Sequence, residues 1–143
     1  MIVHVTHSNN LSSILKSGIF SPLVAKRIGA TFGIGSEGSR CDVVQLFDFS
    51  GEEKISEQVS NFVNERARFA SQKCIGIDKD KFIVLLIDTS IVKEPVFRNH
   101  FYVKQYCKDH GSLRYWPWFE VWFEGVVEPK WIADTFPLSK LSD

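Results

Sequence analysis

The chain opens on a short β-branched run, residues 2 to 6 (Ile-Val-His-Val-Thr), which predicts a strand. A helix follows. Ser8, Asn9 or Asn10 can cap it, because each offers a side-chain oxygen to free backbone N–H groups. Leu11, Ile14 and Leu15 then fall on one helical face, and Gly18 supplies the stop. Val43, Val44, Leu46, Phe47 and Phe49 read as a buried strand. Residues 52 to 75 predict the longest helix, with Ile55, Val59, Phe62, Val63, Phe69 and Ala70 at three- and four-residue steps. The continuous apolar run at 82 to 88 predicts a strand covered on both faces. Residues 96 to 103 are a further strand candidate, and 104 to 117 read as irregular. In residues 118 to 124 (WFEVWFE), Phe119, Val121 and Phe123 alternate with Glu120, Trp122 and Glu124. A last short strand holds Trp131 and Ile132. Helix and strand come first, then mostly strands, which fits a single α+β domain over residues 1 to 143.

Breaks and composition refine this outline. Residues 29 to 40 (GATFGIGSEGSR) hold four glycines and two serines and read as a loop. Seventeen basic residues balance seventeen acidic ones, so no global field draws the chain onto duplex nucleic acid, although a local basic groove remains open. Three widely spaced cysteines, Cys41, Cys74 and Cys107, suit reduced thiols in a cytoplasmic protein. The first residues lack the pattern of a signal peptide, and no apolar stretch approaches the ~18 residues of a membrane span. No metal-ligand spacing stands out: His100 and His110 are ten apart, and Asp78, Asp80 and Asp88 do not fit a calcium loop. Gly33-Ile-Gly35 lacks the context of a dinucleotide fingerprint.

The chemistry-bearing residues gather near the two ends. His4, Thr6, His7 and Asn10 lie where the first strand passes into the first helix, and backbone N–H groups there favour anions. The structural alternative is that Thr6 and Asn10 only cap the helix and His4 is a core histidine. Glu120 is either a working carboxylate or a residue on the solvated face of a half-buried strand. The run Arg114-Tyr115-Trp116-Pro117-Trp118 joins a cation to flat rings, which suits base stacking or a rigid apolar loop.

The run His-x-Thr-His-x-x-Asn-Leu-x-x-Ile-Leu-x-x-Gly-Ile, residues 4 to 19, resembles the opening of the DarT-type DNA ADP-ribosyltransferase toxins. The stretch Phe119 to Phe123, followed by Val126 to Ile132, is similar to that family's closing segment. The resemblance covers the two ends of the chain and little of the middle. It implies an ADP-ribosyltransferase-like fold, with a split, mostly antiparallel sheet around an NAD cleft, and no metal. It implies that His4, Thr6, His7, Asn10 and Leu11 belong to the NAD-binding segment. Glu120 would hold a ribose hydroxyl and stabilise positive charge as nicotinamide leaves. The family's arginine is matched by Arg40 or Arg27; Arg40, at the end of the glycine-rich loop, is preferred, and either guanidinium could fork onto a phosphate or contact the acceptor. Trp118, Trp122 and Arg114 would meet the acceptor. The implied activity is transfer of ADP-ribose to a base of single-stranded DNA or RNA, in a toxin or phage-defence setting that can include an antitoxin.

The chain also departs from that family. Where the family strand tends to read Tyr-Val-Pro-Phe-Tyr-Phe, residues 44 to 49 read Val-Gln-Leu-Phe-Asp-Phe. No Glu-x-Glu precedes either glutamate of 118 to 124, since Trp118 and Trp122 stand in those places. Alternative expectations are transfer to a protein side chain, an inactive binding module on the same fold, and an RNA 2′-phosphotransferase. The last needs a basic phosphate pocket, which the balanced charge does not favour.

Overall fold

A computed structural model describes residues 1–25, 41–50, 79–93, 96–113, 115 and 119–142. The expected loop at 29–40, the expected helix at 52–75, and Arg27, Arg40, Cys74, Arg114, Trp116, Pro117 and Trp118 lie outside these residues. Six strands form one sheet: β1 (Ile2–His7), β2 (Val43–Asp48), β3 (Phe82–Ile87), β4 (Phe97–Arg98), β5 (Glu120–Glu124) and β6 (Ile132–Pro137). Their order is β4-β5-β2-β1-β3-β6, and every adjacent pair is antiparallel. Together with three α-helices among the described residues, α1 (Leu11–Ser17), α2 (Pro22–Ala25) and α3 (His100–Asp109), this is an α+β arrangement. None of the helices among the described residues is long and apolar enough to cross a membrane.

Strand pleat divides the apolar residues between two faces. The first face carries Ile2, Val44, Leu46, Leu85, Ile87, Val121 and Phe123, packed with Ile14 of α1 and with Ile19 and Val127. The second carries Val3, Phe47 and Val84 with Phe49, Phe119 and Leu138. Farther along this second face, Val43 and Trp122 pack with Val103 and Cys107 of α3. Phe119 departs from the expected alternation, because it precedes β5 and stacks on Phe49 at 5.5 Å between ring centres instead of joining Val121 and Phe123. The expected cover on both faces of the third strand is present: Leu85 and Ile87 are buried on one side and Val84 on the other.

Two elements differ from the sequence expectation. The candidate strand at 96–103 is reduced to Phe97–Arg98, and helix α3 occupies His100–Asp109, most of which reads as strand or irregular chain. The cause is local. Asn99 accepts a hydrogen bond from the Tyr102 backbone N–H at 3.1 Å, which starts the helix, and Val103 and Cys107, four apart, supply its buried stripe. The last strand is longer than expected, and Trp131 lies in the 3-10 turn before it.

The end of α1 follows the expectation. Gly18 has φ of 94°, and its N–H closes on the Ile14 carbonyl at 2.7 Å. Ile19 and Val127 then exchange backbone hydrogen bonds of 2.9 and 3.0 Å, which tie the segment after α1 to the segment after β5.

Candidate functional site

The ladder between β1 and β2 is short. Only Ile2↔Asp48 and Val3↔Phe47 pair, although each strand has six residues. On their outer sides the same strands pair along most of their lengths, β1 with β3 and β2 with β5. The sheet is therefore two half-sheets, β1-β3-β6 and β2-β5-β4, joined at one end and parted beyond Val3. Val5 and Gln45 would form the next hydrogen-bonded pair. Instead, the Gln45 carbonyl accepts a hydrogen bond from the His4 side chain, at 2.9 Å from Nδ1. A carbonyl oxygen only accepts, so this nitrogen carries the proton. The imidazole thus occupies the place of a ladder bond where the strands separate.

The remaining N-terminal residues form a small polar group. Asn10 Nδ2 donates to Thr6 Oγ1 at 3.0 Å, and Thr6 is buried. Asn10 is the residue before α1 and makes no side-chain cap to it. The His7 side chain caps the preceding turn instead, accepting from the Asn9 N–H at 3.2 Å. Leu11 packs against the first-face core. Close by in sequence, the Ser21 hydroxyl donates to the Asp42 carboxylate, which joins the start of α2 to the segment before β2.

Glu120 is the first residue of β5 and is 0% exposed, so the solvated-face alternative is excluded. The Trp122 indole N–H donates to its Oε1 at 2.8 Å, between side chains two apart on one strand face. Trp122 is itself buried. Tyr106 and Tyr102 of α3 meet its ring edge-on at 5.1 and 6.4 Å. Covered in this way, the indole holds Glu120 and presents no open stacking surface. Glu124, next on the same face, is exposed and pairs with Arg98 at 3.0 Å.

Register relates the two ends of the chain. Val3, Phe47 and Glu120 lie in one row across adjacent strands. Two strand spacings put Glu120 about 10 Å from β1. Alternation puts Glu120 on the Val3 face, while His4 and Thr6 belong to the Ile2 face. At the parting, the His4 ring bonds across to β2. The structure thus joins Thr6 and Asn10 at the end of β1, with His4 two residues earlier on the same face, and Glu120 with Trp122 on the other half-sheet.

One polar residue of this region was not singled out by motif. Gln45 interrupts the apolar strand Val43–Asp48, and its buried side-chain nitrogen has no hydrogen-bond partner among the described residues. The signal in sequence is a lone polar residue within a strand otherwise fit for the core. No protein-family model and no curated protein sequence matches the chain.

Proposed function

We propose that the protein is an NAD-dependent ADP-ribosyltransferase acting on a nucleic-acid base. The observation that carries this reading is the parting of β1 from β2, with His4 at its mouth and a buried carboxylate, Glu120, on the adjoining half-sheet. A split antiparallel sheet is what the likeness of the two chain ends implies. The donors and acceptors present suit a dinucleotide: His4, Thr6 and Asn10 for ribose or amide groups, and Glu120 for a ribose hydroxyl. NAD supplies the ADP-ribose group and nicotinamide as leaving group. The chain's part is electrostatic. A carboxylate removed from water acts on developing positive charge far more strongly than an exposed one. Its orientation is set before substrate arrives, because Trp122 holds Oε1.

Mass spectrometry after incubation with NAD and single-stranded oligonucleotides tests the proposal. The oligonucleotide gains one ADP-ribose unit, and Glu120→Ala lowers the yield about 100-fold or more. Equal labelling by both proteins rejects the role of Glu120. Label on protein alone moves the acceptor to a side chain. A second reading, an inactive binding module, draws support from the opposite faces taken by Glu120 and the His4–Thr6 pair. Calorimetry showing no NAD binding at millimolar concentration would favour it.

A further inference from the structure

Gln45 is held at one end and unsatisfied at the other. Its carbonyl accepts from His4 at 2.9 Å, while its side-chain Nε2 is buried without a partner among the described residues. Leaving a buried donor unpaired costs about 1–3 kcal/mol. Leucine or methionine would occupy a similar volume without that penalty. Buried polar groups are paired almost everywhere in folded proteins, and contact with a group outside the fold is one way an orphan donor is satisfied.

Its surroundings indicate the use. Gln45 stands opposite Trp122 in the β2–β5 ladder, and Glu120 lies two residues before Trp122. Gln45 and Glu120 are therefore diagonal neighbours on one face, with Cβ atoms about 7–8 Å apart. Both side chains are long enough to converge on a group between them. Gln45 also borders the parting of β1 from β2. The amide nitrogen donates, and the carboxylate accepts. A donor beside an acceptor selects a ligand group that accepts and donates at once, such as a sugar hydroxyl or a primary carboxamide. It disfavours a phosphate, whose charge the carboxylate repels.

We propose that Gln45 is a ligand-contacting residue, its side-chain N–H donating to the oxygen of a hydroxyl or carboxamide that in turn donates to Glu120. The inference rests on the NAD reading and adds to it a specific contact from β2. Calorimetric titration of NAD and of ADP-ribose into the wild type, Gln45→Leu and Gln45→Met tests it, with melting curves of all three. Both variants melt no lower than the wild type, since an orphan donor has gone, and both bind NAD about tenfold more weakly. A matching loss with ADP-ribose assigns the contact to a ribose hydroxyl; a loss with NAD alone assigns it to the carboxamide. Unchanged NAD affinity in folded variants overturns the Gln45 contact and leaves the NAD reading standing. A wild type that binds no NAD overturns both. If both variants melt well below the wild type, the amide serves the fold and the inference is wrong.

Discussion

At the scale of single residues, Trp122 changes most between sequence and structure. The alternation in WFEVWFE correctly groups Glu120, Trp122 and Glu124, but it carries no information on what covers that group. The cover comes from α3, some twenty residues earlier in the chain, so Trp122 becomes a buried donor instead of a platform for bases. Trp122→Phe keeps most of the ring volume and removes the N–H. It is expected to destabilise the protein by about 1–3 kcal/mol, the range for a buried polar group losing a partner. Urea unfolding of the two proteins checks this; equal midpoints would show that the indole N–H contributes nothing to holding Glu120. Asp88 illustrates a weaker, exposed case. Hydrogen bonds from the Ser90 backbone N–H and then its hydroxyl hold the Asp88 carboxyl below its ordinary 3.8. A lowered value means that its contribution is present above the unfolded pKa and fades as pH drops through the folded one.

At the scale of elements, strands were the more legible part. Residues 2–6, 43–49 and 82–88 are β-branched or apolar runs, and each is close to its final strand. Helix α3 was hidden because its aromatic residues do not coincide with its buried stripe. Phe101 and Tyr102 are 66% and 41% exposed, which blurs the apolar stripe of Val103 and Cys107. The stop at Gly18 was legible, and its reason is now physical. With φ of 94° and ψ of 179°, the backbone there sits in a region almost closed to other residues. A Cβ would lie 2.6 Å from the Val127 carbonyl oxygen. Gly18→Ala is expected to cost at least about 2 kcal/mol, from strain and from displacement of the Ile19–Val127 bridge. Thermal melting measures it, and an unchanged midpoint would contradict the tight contact.

At the scale of the whole molecule, the central parting of the sheet was not legible from local pattern. Ladder length depends on which strands become neighbours, and β1 pairs with segments more than forty and more than seventy residues away. If the two half-sheets share a nucleotide, binding stabilises them together. At NAD one hundredfold above its Kd, unfolding should become about 2.7 kcal/mol harder. Differential scanning calorimetry across an NAD series reads this directly; a melting temperature indifferent to NAD sinks it. The strand order has another consequence, for self-association. Its outer rims are β4, only two residues long, and β6, which carries exposed Asp134 and ends at Pro137. Brevity, charge and proline all discourage a neighbouring molecule from adding a strand. The longer unladdered edges lie instead in the middle of the sheet, flanked by strands of the same chain, which leaves no rim there for a second polypeptide to extend.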